Sequence, residues 1–248
     1  MRAFLTLWRR ELSSYFLSPI AFIVTIFFLV VMGFSFWMLA SVLVHGTPGV
    51  TVMNELFGSF FFWITMIMVS PLLTMRLIAE EKRSGTIETL MTAPVTDSAV
   101  VLSKFAGVFT FFVVMWLPTL SYVWVLQRFS AVMSPIDFGP MLGGYLGAFL
   151  VGAFYLSIGL FCSAMTSNQI VAAIMGFGLT AVAFFCGFLG YMGQADSVRK
   201  VGSYISSVMH MLDFSRGAID SRPVVFYVSA TALMLFATIK VVESRKWK

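Results

Sequence analysis

The sequence is poor in charged residues, and this deficit decides its broad class. Asp, Glu, Lys and Arg make up 11% of the 248 residues, whereas 59% are hydrophobic. A soluble domain carries about 25% charged residues, and the mean hydropathy of this chain is +0.94. The composition therefore indicates a protein for which lipid, rather than water, surrounds most of the chain.

Several kinds of reactive chemistry are also missing. The chain has two cysteines, Cys162 and Cys186, and two histidines, His45 and His210, which are too few for a metal site or a disulfide scaffold. No G-x-x-x-x-G-K-[ST] phosphate loop occurs, so we expect no nucleotide hydrolysis by this chain. We predict no catalytic residues, no metal site and no cofactor bound by the chain itself.

Long runs without any charged residue are present instead. They separate Glu11 from Glu55, Glu55 from Arg76, Lys104 from Arg128, Asp137 from Asp196, and Arg222 from Lys240. A membrane-spanning helix needs about 20 apolar residues. We predict an all-α membrane protein that forms one transmembrane domain over residues 1–248, with six spans at about 20–43, 56–78, 102–126, 141–163, 170–193 and 223–242.

The distribution of Lys and Arg predicts the orientation. Six spans place both termini on one side, and that side would hold eleven of the 16 basic residues, against five on the other. Because basic residues are enriched on the cytoplasmic side, we predict that both termini are cytoplasmic. The net charge of +5 fits anchoring to anionic lipid rather than nucleic-acid binding.

Two segments outside the spans have amphipathic spacing. Near the N-terminus, apolar residues at helical spacing predict an interfacial helix, either a simple anchor or a more specific element, whose site residues are Trp8, Arg9, Arg10, Glu11 and Tyr15. We expect Trp8 and Tyr15 at headgroup level. Between spans 5 and 6, a repeat from Val198 to Leu212 predicts one outer helix, either a cap or a gate, whose candidate residues are Ile205, His210, Phe214, Arg216 and Asp220.

The predicted fourth and fifth spans are rich in small residues. Gly143 and Gly147 form a G-x-x-x-G pattern, and Gly159 and Gly176 follow at later positions. Small residues let membrane helices approach one another closely. The pattern predicts close packing within the chain, with a dimer face as the alternative.

The segment "EEKRSGTIETLMTAP", from Glu80 to Pro94, is the densest charged stretch between two spans. Gly85 predicts a kink, Thr86 could cap a short helix, and Pro94 would end it. Ile87, Leu90 and Met91 would give this helix an apolar face that suits a groove on another protein. Since the span interiors lack the ionisable residues of ion-driven carriers, any transport energy must come from outside the chain.

At these residues the sequence resembles the ABC-2-type transporter permeases. The family's pattern between spans two and three is matched by Glu80, Glu81, Gly85, Thr86, Glu88, Leu90, Pro94 and Lys104, while Met91 stands where Leu is more usual. Two further stretches, "RRELSSYFLSPIAF" and "HMLDFSRGAIDSRPVVFY", resemble a branch that includes gliding-motility and copper-enzyme-maturation permeases.

The resemblance implies a bacterial inner-membrane exporter subunit without catalysis of its own. It implies a coupling helix that docks on a separate ATPase subunit through Glu80, Glu81, Gly85, Thr86, Ile87, Glu88, Leu90, Met91 and Pro94. Two ATPase chains, which hold ATP and Mg, would join two identical or homologous permease chains and an optional extracytoplasmic subunit. The alternative from another class is a membrane anchor that recruits a cytoplasmic protein and transports nothing.

Overall fold

The structure is a computed structural model, and it describes residues 2–44, 52–85, 96–129, 138–188 and 196–244. All regular secondary structure in these ranges is helical, which confirms the predicted fold class. In chain order the α-helices are α1 (Arg2–Phe16), α2 (Pro19–Val44), α3 (Val52–Gly58), α4 (Phe60–Thr74), α5 (Ala79–Ser84), α6 (Asp97–Trp116), α7 (Leu120–Phe129), α8 (Phe138–Met165), α9 (Gln169–Cys186), α10 (Asp196–Ile205), α11 (Ser207–Ser215) and α12 (Ser221–Glu243). A 3₁₀ turn joins α6 to α7.

Six stretches of the described residues are long and apolar enough to cross a membrane, so the predicted number of spans is confirmed. We call them spans 1 to 6: Pro19–Ser41, Phe60–Ser84, Asp97–Val125, Phe138–Met165, Gln169–Cys186 and Ser221–Glu243. The protein is therefore a multi-pass membrane protein.

Several helix ends differ from the predicted span boundaries, and side-chain caps set two of the helix starts. Span 2 was expected from residue 56, but Ser59 accepts a hydrogen bond from the Phe62 amide and separates α3 from α4. Span 3 was expected from residue 102, but Thr96 caps α6, which begins at Asp97. The fifth span was expected to reach residue 193, whereas α9 ends at Cys186 and residues 189–195 lie outside the described ranges.

Helix α8 is the centre of the bundle. It packs against α4, α9, α11 and α12. In its span, 67% of the apolar window is buried, compared with 22% in span 5 and 17% in span 6. The described part of the chain therefore has a protein-buried centre and outer spans with large exposed apolar surfaces, which suit lipid or another membrane protein.

The small residues of α8 serve this internal packing. A Cβ atom added to Gly159 would lie 2.0 Å from Oγ1 of Thr74 on α4. At Gly143 it would lie 2.2 Å from the carbonyl oxygen of Phe214, and at Gly147 it would lie 2.9 Å from the Phe214 ring. The prediction of close packing within the chain is confirmed at these three glycines.

The bundle has two ends that differ in structure. At one end, which we call the α5 end, α5 and the first residues of α6 meet α1 and the last turn of α8. At the other end, the α11 end, α11 covers α3 and the start of α8, and Ser215 donates a hydrogen bond of 3.0 Å to the Asn54 side chain. The predicted N-terminal and inter-span segments thus lie at one end and the predicted outer segment at the other.

The prediction of one continuous outer helix is wrong. The chain forms α10 and α11 instead, with a break at Ser206, whose backbone is extended (φ −66°, ψ 105°). The Ser206 hydroxyl accepts a hydrogen bond from the Met209 amide and caps α11. A serine at the N-cap position stabilises the start of a new helix. The spacing of the apolar residues continues through Ser206 and therefore does not reveal this start.

Candidate functional site

An ion-pair cluster at the α5 end joins three helices, and we call its three residues, Glu11, Glu81 and Lys104, the clamp. Nζ of Lys104 lies 2.8 Å from Oε1 of Glu11 on α1 and 2.7 Å from Oε1 of Glu81 on α5. Lys104 itself is 2% exposed and lies on the second turn of α6. Its ammonium group is therefore held away from water between two carboxylates.

This position corrects one expectation from the sequence. Lys104 was placed at the end of span 3, with no charged residue inside a span. Because α6 begins at Asp97, Lys104 lies two turns inside the helix and is buried. A buried charge is tolerated only when it is paired, and the two carboxylates supply that pairing.

The clamp also depends on a close approach of α1 to α6. A Cβ atom at Gly107 would lie 2.9 Å from Cβ of Glu11, so a glycine at this position lets the two backbones come together. One turn before Glu11, the indole nitrogen of Trp8 donates a hydrogen bond of 3.3 Å to Oγ1 of Thr110 on α6. Helix α1 is thus fixed along α6 by specific contacts.

Tyr15 ties α1 to the end of α4. Its hydroxyl donates a hydrogen bond of 2.6 Å to the carbonyl of Leu73, and its ring lies 5.5 Å below the guanidinium carbon of Arg76. Burial raises the pKa of the Tyr15 hydroxyl well above its usual value, which keeps the hydroxyl protonated as a donor. Tyr15 was expected at headgroup level and is instead buried in protein at 3% exposure.

Helix α5 is attached to the last turn of α8 as well. The hydroxyl oxygen of Ser163 accepts hydrogen bonds of 3.1 Å from the amides of Ile78 and Ala79, and the hydroxyl donates one of 3.0 Å to the carbonyl of Met75. Nζ of Lys82 donates to the carbonyl of Ala164. Both contacts satisfy backbone groups that helix ends leave without partners.

A polar cavity of about 280 Å³ opens beside the clamp. Arg10 and Arg76 line it with Glu80 and the three clamp residues. Positive and negative side chains are balanced there, three of each. The cavity adjoins the clamp and lies where α1 and α5 face each other.

The structure brings together part of the predicted coupling and interfacial sites. Glu81 joins Glu11 in the clamp, and Glu80 faces the same cavity, while Arg9 and Arg10 are exposed. Gly85 ends α5 with φ +71°, a conformation that glycine adopts readily, whereas the short helix predicted after the kink lies outside the described residues. The remaining coupling residues, Thr86, Ile87, Glu88, Leu90, Met91 and Pro94, lie outside the described residues.

The candidate gate residues lie at the α11 end and divide into two groups. His210 and Phe214 are buried, and Nδ1 of His210 lies 3.2 Å from the hydroxyl of Tyr227 on α12. Ile205 is half-buried, and Arg216 is exposed. The Asp220 carboxylate accepts a hydrogen bond of 3.1 Å from the Arg222 amide and caps α12.

Sequence reasoning missed three residues that hold the α5 end together. Ser163 was not singled out in the sequence, and Lys82 and Arg76 were counted only for their charge. A lone lysine near the start of an apolar run, as at Lys104, is the one local signal that could have indicated a buried ion pair. Ser163 and Lys82 have partners more than 80 positions away along the chain, so no local sequence pattern could have indicated them.

Comparison with known proteins agrees with this architecture. Residues 48–237 match the family model described as "ABC-2 family transporter protein". The matched region contains α5, Lys104 and the α11 end, whereas α1 precedes it. A search of curated proteins found no match. The family match covers most of the chain, and the chain has six membrane spans. Together they establish that this chain belongs to the ABC-2 family of transporter proteins and is the membrane subunit of an ABC transporter.

Proposed function

We propose that this chain is an exporter permease that couples to a separate ATPase subunit through the segment from Glu80 to Pro94. ATP and Mg would be bound by the partner, and this chain would hydrolyse nothing. Two permease chains would enclose the path, and two ATPase chains would dock on them. In this proposal the α5 end and both termini are cytoplasmic, and the membrane is the bacterial inner membrane.

The clamp is the observation that carries the proposal. Residues 86–95 follow α5, which carries the clamp residue Glu81, and precede α6, which carries the clamp residue Lys104 on its second turn. A partner that pulls on this segment therefore acts on both helices that flank it, α5 and α6. Because Glu11 shares the same ammonium group, α1 would move with them.

The contacts of α5 with α8 extend this route into the centre of the bundle. Ser163 and Lys82 fix α5 to the last turn of α8. Helix α8 in turn packs against α4, α9, α11 and α12. A displacement of α5 would thus reach the α11 end through one continuous helix, in addition to spans 2 and 3.

Coupling also requires that the contact differ between two states. A ligand shifts an equilibrium only by its differential affinity for the two conformations. The clamp offers such a difference, since one ammonium group shared by two carboxylates can retain one partner and release the other. In the proposal, ATP-driven closure of the partner changes which carboxylate Lys104 retains.

The test is to neutralise the clamp and measure coupling. We expect Glu81→Gln to leave the ATPase subunit co-purifying with the permease while lowering transport-dependent ATPase activity at least fivefold. Gln keeps the size of the side chain and removes the charge that Lys104 needs. The readouts are co-purification of the ATPase subunit and ATPase activity of the complex in lipid nanodiscs.

A matched control is available at the end of α12. Lys240 and Glu243 form an exposed ion pair at 2.7 Å. Glu243→Gln removes an equivalent charge from this pair and leaves the clamp residues unchanged. Such exposed pairs contribute about 0–1 kcal/mol, so normal coupling is expected. Normal coupling in Glu81→Gln, or an equal loss in both variants, would refute the role of the clamp. Purification without any ATPase subunit would favour the non-transporting anchor.

A further inference from the structure

A second cleft, of about 380 Å³ and lined by both apolar and charged side chains, lies at the α11 end between α10, α11 and the first turn of α12. Its walls carry two basic residues, Lys200 and Arg222, and two acidic residues, Asp213 and Asp220. His210, which is 7% exposed, lies at the cleft with its ring against Tyr227. The cleft is at the small end of the size range of small-molecule sites, which starts at about 300 Å³.

In the part of the chain that the structure describes, the four charged side chains of this cleft do not form ion pairs. Within the described residues, none of them lies within ion-pair distance of an opposite charge. The Asp220 carboxylate accepts the Arg222 amide and a 3.5 Å contact from the Ser221 hydroxyl, which leaves most of its acceptor capacity available. Opposite charges that share a cleft without pairing can each bind a group of a ligand.

The surroundings of the cleft indicate where such a ligand would come from. Arg222 and Pro223 belong to the first turn of span 6, so the cleft lies where a spanning helix begins. On the next turns, Val225 and Val228 are 63% and 56% exposed and form an apolar strip along the helix. The ring of Tyr204, itself 55% exposed, packs against Phe226 at 6.0 Å.

We propose that this cleft binds the headgroup of a membrane phospholipid that carries both a phosphate and a primary ammonium group, such as phosphatidylethanolamine, with its acyl chains along span 6. Lys200 and Arg222 donate hydrogen bonds to the phosphate oxygens. Asp213 and Asp220 accept hydrogen bonds from the ammonium group. The proposal does not depend on ATPase coupling, because the site is complete within this chain.

The charge balance of the cleft selects this headgroup over others. Two basic and two acidic side chains sum to zero, and burial lowers the pKa of His210, so the imidazole adds no charge at neutral pH. An anionic headgroup without an amine would leave both carboxylates facing a phosphate. A choline headgroup has a positive charge but no N–H group, so it cannot donate to the carboxylates.

Lipid binding to the purified chain tests the proposal. Delipidated protein in detergent is titrated with phosphatidylethanolamine, phosphatidylcholine and phosphatidylglycerol of the same acyl chains, and bound lipid is counted by native mass spectrometry. We expect phosphatidylethanolamine to bind at least fivefold more tightly than the other two. Glycerophosphoethanolamine, the free headgroup, is expected to bind at least tenfold more weakly than the lipid, because it lacks acyl chains for the apolar strip.

Two variants and one matched control locate the site. Lys200→Glu is expected to weaken phosphatidylethanolamine binding about tenfold, in line with the loss of a charge-assisted hydrogen bond. Asp213→Asn is expected to abolish the preference for ethanolamine over choline. Arg199→Glu changes the same charge on the neighbouring exposed residue, which does not line the cleft, and should bind lipid normally.

Each of three other outcomes would overturn the proposal. Equal binding of the three lipids would show that the headgroup is not recognised. Equal effects of Lys200→Glu and Arg199→Glu would show that general surface charge, and not this cleft, attracts the lipid. Binding of the free headgroup as tightly as the lipid would show that the ligand is a soluble zwitterion.

Discussion

Substitution of Ser163 by Ala isolates the link between α5 and α8. In the native protein this one hydroxyl satisfies three backbone groups, the amides of Ile78 and Ala79 and the carbonyl of Met75. Ser163 and Ala79 are 0% exposed and Ile78 is 2% exposed, so water does not replace the hydroxyl without a local rearrangement. The variant therefore leaves two donors and one acceptor buried where the span 2 helix is interrupted.

The size of the effect follows from the cost of an unsatisfied buried group. Each one costs about 1–3 kcal/mol, and with partial relaxation of the turn we expect roughly 3 kcal/mol in total. Because about 1.4 kcal/mol corresponds to a tenfold change in an equilibrium constant, local opening at residues 78–79 should become about 100 times more frequent. The change should be local, since the other contacts of α8 are retained.

Amide hydrogen exchange followed by mass spectrometry measures this opening. Ser157→Ala is the matched control, because Ser157 is also buried on α8 but donates only to the Phe154 carbonyl of its own helix. We expect faster exchange in a peptide that covers residues 75–84 for Ser163→Ala and unchanged exchange for Ser157→Ala. If the two variants exchange alike in that peptide, Ser163 does not hold α5, and the route through α8 loses its support.

Three further predictions concern other parts of the chain. Gly159→Ala should lower the thermal midpoint by several degrees, because its Cβ would lie 2.0 Å from Thr74 Oγ1, whereas Gly178→Ala, with no atom within 4 Å, should not. Leu90→Asp should preserve membrane insertion and abolish stimulation of the ATPase; normal stimulation would exclude the apolar docking face. Burial lowers the pKa of His210 below 6.5, so thermal stability should fall as the pH drops below about 6.5, and His210→Asn should flatten that profile.

The sign of the pH effect follows from proton linkage. The folded state binds the proton of His210 less readily than the unfolded state, so falling pH favours unfolding through this group. Asp213 and Asp220 oppose the shift, since their charges favour the imidazolium. A thermal midpoint that rises on acidification, and does so only when His210 is present, would contradict the assignment.

The pattern of apolar runs was sufficient to predict the number of spans, because lipid exposure demands about 20 consecutive apolar residues whatever their packing. The same pattern did not indicate where the helices of spans 2 and 3 start. Those starts are set by Ser59 and Thr96, each of which makes one hydrogen bond to an amide three residues later. Hydrophobicity averaged over a window does not register a single polar cap.

For a similar reason, the sequence identified most residues of the candidate site but not how they pair. Glu80, Glu81 and Lys104 were identified by their resemblance to the permease family, yet nothing in the local sequence indicated that Lys104 is buried between Glu81 and Glu11. These two partners are 23 and 93 positions away along the chain. Pairing at such separations depends on how α1, α5 and α6 pack.

The sequence by itself determined that lipid surrounds most of this protein, and it determined the helical class, the six spans and the family. Each of these follows from composition, run length or a local motif. Only the tertiary structure decided what its few charged residues do. It buried Lys104 between two carboxylates, used Ser163 to hold α5, and, within the described residues, left the four charges around the cleft at the α11 end without an ion-pair partner. The physical reason is that a buried charge or amide needs a partner, and in a helical bundle that partner comes from a distant segment.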